Sequence, residues 1–333
     1  MHVVEARTLE GGQAAASASR PTIRDVAQLA GVDVSTVSRA IHGNPRISSA
    51  TRARVARAIA DLDYRPNAAA RAMVTRRTRT FAFLVPRLAD PNIADLAAGA
   101  ESRARAVGYS MVVAGYRPSD DPTGERHGVF GEHRVDGILL MSPRHYPTAR
   151  LELPVATLEE ARVDNHAGGR LVGMHLRTLG HRRAVFVGGP HDSPHARERV
   201  RGFLSGFGDE VTVRYGDWTS ECGAAVAGLL LDELRDVTAV FAASDSVALG
   251  VLHALHERGL DVPRDVSVVG FDDQAVYRYA WPRLTTVAQP LSAVGATAFD
   301  LLHARMAGAE PDPPEPLPVR LVERESSGPA PTR

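Results

Sequence analysis

TIRDVAQLAGVDVSTVSRAI, residues 22–41, is the stretch on which the reading of the fold turns. Ile23, Val26, Ala27 and Ala30 recur at helical spacing, so its first half is an amphipathic helix. Thr22 stands at the N-cap, and Asp25 three residues on completes a capping-box-like start. Gly31 breaks the helix. Asp33 caps a second one, Val34 to Ile41, and Val37 turns its apolar face back onto the first. Two short helices joined at a glycine have helix-turn-helix form. Ser48 caps a third, in which Val55, Ile59 and Leu62 face inward, and Pro66 ends the unit.

The next stretch, RPNAAARAMVTRRT at 65–78, is a helix with nothing local to fold against. Asn67 can cap it and Ala68 to Met73 are strong helix formers, but barely two turns are marginal in water. Charge points to what it meets. From Arg20 to Arg79 there are twelve Arg, four Asp and no Glu, while the whole 333-residue chain is neutral. A basic module on a mildly acidic body implies a polyanionic partner for the module alone. No apolar run approaches the roughly 18–20 residues of a membrane span. The first nineteen residues lack the apolar core of a secretion signal, and the single cysteine, Cys222, suits the cytosol.

Beyond Arg79 the pattern changes. FAFLV, SMVVA, GILLM, PVATL, AVFVG, VTVRY, AVFAA and VSVVG alternate with stretches of helical period. Continuous apolar strands between helices imply parallel sheet covered on both faces, and this many units imply two sheets. LTTVAQPLSAVGATAFDLLHARMAG adds a strand and a helix, and PVRLV can return as an edge strand. The Pro-rich end reads as a disordered stub. HDSPH puts His191 and His195 four apart, but Pro194 argues against a metal-binding helix there. No phosphate-binding glycine loop or nucleophile elbow is present, so no enzyme, cofactor or metal is expected.

The residues say more than their periodicity. DVAQLAGVDVSTVSRAIHGNPRISSATRARVARAIADLDYRPNAAARAM resembles the DNA-binding head of the lactose-repressor (LacI/GalR) family in every segment. In the body VDGILLMS, VDNHAGG, LGHRRAVFVGGP, ARERVRGF, GDWTSECG, FAASDSVALG, VPRDVSVVGFDD and LTTVAQP resemble family signatures in family order. The similarity spans residues 21 to about 325. It implies a cytoplasmic, homodimeric regulator. A helix-turn-helix head would be followed by a periplasmic-binding-protein-like body of two doubly wound α/β subdomains. The expected division is a disordered leader at 1–20, the head at 21–66, and a hinge helix and linker at 67–79. The effector-binding and dimerisation domain follows at 80–326, with a disordered tail at 327–333. Within that domain, 80–161 and 290–317 form one subdomain, 162–289 and 318–326 the other.

The resemblance also implies roles. Val34, Ser35 and Arg39 occupy base-reading positions: Val can touch a thymine methyl, and Arg can fork onto a guanine. Arg24, Ser38, Asn44, Arg46 and Arg52 are expected near phosphates. His42 departs from the family's usual Asn. Asn67, Ala70 and Met73 would enter the minor groove as a helix folded on operator DNA, Met73 standing where a Leu usually wedges the central base step. In the body, Arg199, Asp272, Trp218, Gln289 and Glu159 match effector contacts. Asn92 and Ser244 depart from the family's usual aromatic and Asn. The expected function is a repressor of a carbohydrate-utilisation operon, binding double-stranded operator DNA and released by a small sugar. The alternatives are a sugar-binding protein with no DNA role and an activator or corepressor-type regulator.

Overall fold

The computed structural model describes residues 21–41, 43–65, 72, 75, 77–116, 134–143, 146, 153–208, 210–233 and 236–332. The chain divides into two units, residues 1–76 and 77–333. The leader at 1–20, His42, Pro66, Asn67, Ala70 and Met73 lie outside the described residues.

In the first unit, α1 (Ile23–Ala30), α2 (Val34–Ile41) and α3 (Ser49–Asp61) pack on one another. The Asp25 carboxylate accepts from the backbone N–H and hydroxyl of Thr22 at 2.7 and 2.8 Å. Gly31 adopts φ 62, ψ 45, a left-handed conformation that glycine takes without penalty. That turn lets Gly31 N–H reach the Gln28 carbonyl and Val32 N–H the Ala27 carbonyl, ending α1 as a Schellman motif. The core is Val26, Ala27, Ala30, Val37, Ala40, Val55 and Ala58. Four of these seven are alanines, so the helices can approach closely around three valines.

The second unit has two lobes. Lobe one is a parallel sheet in the order β2-β1-β3-β4, made of β1 (Thr80–Val85), β2 (Ser110–Gly115), β3 (Gly137–Leu140) and β4 (Val155–Thr157). Helices α4 (Asn92–Ala106) and α9 (Leu291–Met306) bury Phe81, Phe83, Val85 and Phe299 against it. Lobe two has β5 (Arg183–Val187), β6 (Glu210–Arg214), β7 (Ala239–Ala242), β8 (Ser267–Asp272), β9 (Thr285–Ala288) and β10 (Arg320–Val322). Their order is β10-β9-β8-β7-β5-β6, with β10 antiparallel at the edge. Here α5 (Asn165–Thr178) and α6 (Pro194–Phe207) pair with each other, as do α7 (Ser220–Glu233) and α8 (Asp245–Glu257). Fully buried Phe186, Phe203, Phe241 and Phe271 fill the core, each contributing about 1.5–3 kcal/mol. The chain crosses between lobes near Val163, Gln289 and Leu317, and two of these crossings pair: Asp164 N–H donates to the Leu317 carbonyl and Leu317 N–H to that of Arg162.

Three expectations are corrected. SMVVA forms edge strand β2, and it is not covered on both faces: Met111 and Ala114 pack against the core, but Val112 and Val113 are exposed. Thr78 and Arg79 are not linker. Their backbone N–H groups donate to the Asp136 carboxylate at 2.7 and 2.9 Å, joining them to lobe one. The end of the chain is not a disordered stub. Ser327 Oγ lies 2.9 Å from His175 Nε2 and donates to Thr285 Oγ1 at 2.9 Å. Gly328 N–H donates to Ser267 Oγ at 3.0 Å, and Ala330 N–H to the Leu179 carbonyl. Buried His181 contacts the Gly328 carbonyl at 3.1 Å, and burial lowers its pKa, favouring the neutral ring. Polar groups far away in sequence thus satisfy a segment whose composition suggests disorder. Pro194 begins α6, where its missing N–H costs no bond, so His191 lies before the helix and no helix spans His191 and His195, as expected.

Candidate DNA-reading head and sensor cleft

The α2 N-terminus presents Val34 and Ser35, both exposed, and Arg39 one turn further along is exposed too. Val34 is 41% exposed, so it is free for an apolar contact rather than committed to the core. Arg24 and Arg46 are also exposed, and Ser38 is half-buried. Two of the expected phosphate contacts have work inside the head. Asn44 Oδ1 accepts from Arg46 N–H at 2.9 Å, and Arg52 donates to the Asn44 and Ile47 carbonyls at 3.3 and 3.2 Å. They shape the loop that delivers α3.

In the body, α6 carries Arg199 into the interior. Gly169 on α5 makes this possible: a Cβ there would stand 2.1 Å from the Arg199 carbonyl. Arg199 is 5% exposed. Its Nε donates to Asn165 Oδ1 at 2.8 Å and its Nη1 to the Ala243 carbonyl. The guanidinium lies 3.6 Å from the Phe271 ring centroid and 5.5 Å from that of Trp218, an arrangement suited to cation–π attraction. Asp272 faces it, Oδ1 to Nη1 3.6 Å.

Asp272 is the hub. Gln289 donates to its Oδ1; Asn92 Nδ2 and Gln274 Nε2 donate to its Oδ2 at 3.1 and 3.3 Å. Asn92 belongs to lobe one and Asp272 to lobe two, so this carboxylate ties the lobes together. The backbone here is unusual: Asp272 has φ 124 and Asp273 φ 57. Consecutive non-glycine residues at positive φ cost about 1–3 kcal/mol each, strain that persists where surroundings over-determine it. Arg324 and Arg278 hold Asp273, and the Asp245 carboxylate accepts from Gln274 N–H at 2.9 Å.

The structure therefore brings together Arg199, Asp272, Asn92 and Gln289, with Trp218 beside them. It does not do so for every candidate. Ser244 spends its oxygen on the α8 N-cap, accepting from Val247 N–H at 3.3 Å, and Glu159 accepts from Ser142 at 3.4 Å. Asn165, Phe271, Gln274, Asp245 and Thr286 are cluster members the sequence reading did not single out. Asn165 and Asp245 stand inside quoted motifs; Gln274 simply follows FDD with no periodic signal. Beside the cluster, a cavity of about 520 Å³ is walled by both charge signs, including Asp95, Asp272, Arg278, Gln289 and Arg320. Asp272 and Gln289 are in its walls; Arg199 and Trp218 are not.

Burial sets the electrostatics. It pulls the Arg199 pKa down to about 10, against the pull of Asp272 and Asp245. Burial raises Asp272 to about 6, with Arg199 opposing. Asp245 is raised furthest, to about 8, by burial and then by the charge on Asp272, while Thr286 and Gln274 bond it. Unfolded, Asp245 releases its proton near pH 4. The stability it contributes is thus fully present below that pH and lost as pH rises toward 8. Asp245→Asn keeps an acceptor for Gln274 N–H and removes the charge; its NH₂ faces Thr286 Oγ1, whose hydroxyl now donates to Asp245 and would turn to accept. Its melting temperature should fall less than wild type's between pH 6 and 8.5 and exceed it at pH 8.5. The expected gain is at least about 1 kcal/mol, or about 2–4 °C. Parallel thermal profiles would show that Asp245 carries no proton in the fold.

Known proteins show the same architecture. Residues 22–67 match the bacterial regulatory proteins, lacI family, and residues 174–327 the periplasmic binding protein-like domain. The chain is 39% identical to the HTH-type transcriptional regulator CelR of Thermobifida fusca, over 92% of this chain and 98% of that one. It is 33% identical to catabolite control protein A of Priestia megaterium, over 92% and 99%. It superposes on a solved CelR–cellobiose complex with TM-score 0.68 at 36% identity, covering 92% of this chain and all of that one. Against a lac repressor dimer bound to operator and the anti-inducer ONPF the TM-score is 0.79 at 29% identity, over 93% and 100%. With its helix-turn-helix head and two-lobed body, the chain belongs to the lacI family of bacterial DNA-binding transcription regulators.

Proposed function

We propose that this protein is a homodimeric repressor of a carbohydrate-utilisation operon, released from its operator by a small sugar, with a disaccharide such as cellobiose the first candidate. The observation that carries the proposal is the Asn92–Asp272 bond between lobes. A hydroxyl-rich ligand entering beside Arg199 competes for Asp272, Asn92 and Gln289, so occupancy and lobe geometry are coupled. Trp218 offers an indole on which a sugar face can stack. A purine favours aromatics on both sides, and the loop at 90–93 supplies Asp90, Pro91, Asn92 and a buried Ile93 instead. The exposed apolar surface supports pairing with a second copy: Val112 and Val113 on β2, and Tyr279 and Trp281, 92% and 88% exposed, in lobe two. Val34, Ser35 and Arg39 read bases in this proposal, Arg24, Ser38 and Arg46 contact phosphates, and Met73 is the minor-groove wedge. The protein acts in the cytoplasm and performs no catalysis.

A thermal-shift screen of the full chain tests the sensor. A sugar at about a hundred times its Kd should stabilise by about 2.7 kcal/mol, some 5–10 °C. Stabilisation by nucleobases and by none of the mono- or disaccharides would overturn the assignment.

A further inference from the structure

Gln274 is 3% exposed, and its Oε1 has no hydrogen-bond partner among the described residues. Its other polar atoms are engaged. The backbone N–H donates to Asp245 Oδ2 at 2.9 Å, and Nε2 donates to Asn92 Oδ1 at 2.6 Å and Asp272 Oδ2 at 3.3 Å. Amide oxygen and nitrogen are told apart only by their surroundings, and these surroundings decide. The Asp272 carboxylate, with Arg199 opposite, accepts only, so it takes the NH₂ edge of both Asn92 and Gln274. Asn92 then turns its oxygen toward Gln274, which must meet that with NH₂ as well. Flipping Gln274 would aim its oxygen at two acceptors. Oε1 is therefore left as a buried acceptor in want of a donor, a disfavoured state that a bound molecule can relieve.

Resting on the sugar reading above, we infer that Gln274 is a specificity-determining residue of the effector site: its Oε1 accepts a hydrogen bond from one particular hydroxyl of the bound sugar. The placement gives that contact leverage. Asn92 opens α4 in lobe one and Asp272 closes β8 in lobe two, and the Gln274 amide bonds both. Reading the hydroxyl and holding the lobes then fall to one side chain. A site built to bond a hydroxyl rejects the analogue that lacks it far more strongly than an apolar pocket rejects a missing methylene.

Calorimetric titration of the full chain with cellobiose and its monodeoxy analogues tests this, on wild type and on Gln274→Met, which keeps length and volume without the amide. For wild type, deleting one particular hydroxyl should weaken binding at least about tenfold. Gln274→Met should weaken parent-sugar binding by a similar factor and be indifferent to that deletion. Equal wild-type affinities across the deoxy series, or a variant that tracks wild type, would overturn the inference and leave the sugar reading standing; an ordered water on Oε1 would produce that result. The deoxy series on wild type decides even where the variant fails to fold. A wild type that binds neither cellobiose nor any other mono- or disaccharide would remove the sugar reading and this inference together.

Discussion

Operator affinity is expected to fall by about three to five orders of magnitude between about 50 and 200 mM salt. The head concentrates positive charge that the rest of the chain cancels: residues 20–79 carry twelve Arg against four Asp. A dimer would present two such heads, each with exposed Arg24, Arg39 and Arg46 and with the amides of the α1 and α2 N-termini. Every phosphate neutralised releases condensed counterions, so the loss with salt counts the contacts. Arg39→Ala separates reading from holding. A guanine-forking Arg39 predicts a loss of discrimination among operator variants of about 1–3 kcal/mol. Uniform weakening across sequences, with a shallower salt slope, would make Arg39 a phosphate contact. A flat salt response would remove the electrostatic account of the head.

Arg199→Ala should abolish the sugar response, and it should also destabilise the body by about 3–5 kcal/mol. Both effects follow from one geometry. The guanidinium faces the buried Asp272 carboxylate and holds Asn165 and the Ala243 carbonyl. Its removal leaves a buried carboxylate without its cation and two acceptors without donors. The double substitution Arg199→Met with Asp272→Asn removes both charges, so it should regain much of the lost melting temperature. It should still show no sugar response if, as proposed, Arg199 and Asp272 contact the ligand. Restored stability with a restored response would place the effector elsewhere. A single mutant as stable as wild type would mean that Arg199 and Asp272 are solvated, contrary to their burial.

Most strands were legible because they are apolar runs such as FAFLV or AVFVG that belong in a core. SMVVA, an equally apolar run, nevertheless lies at an edge with Val112 and Val113 exposed. The head was legible because Thr22, Asp25 and Gly31 each have a local conformational task at fixed spacing. The cluster around Asp272 was half legible. Arg199, Asp272, Asn92 and Gln289 came through their motifs and do meet, whereas Ser244 and Glu159 sit where local bonds absorb their oxygens. Gln274 carried no signal, since its importance lies in a bond to Asn92, 182 residues away. The chain end was misread for the same reason. Ser327 and Gly328 have the composition of a loose tail, but His175 and Ser267 wait for them across the fold. Composition reports local preference and is silent on distant partners.

The most direct measurement is operator affinity of the full-length protein, at fixed salt, with and without the sugar that stabilises it. The account predicts that saturating sugar weakens operator binding at least about tenfold, a coupling of about 1.4 kcal/mol. The sugar's affinity should be weakened by the same factor when operator is bound. A rise would keep the coupling and reverse its sign to a corepressor mode. An operator affinity unchanged by a sugar that demonstrably binds would contradict the claim that this cleft governs the head.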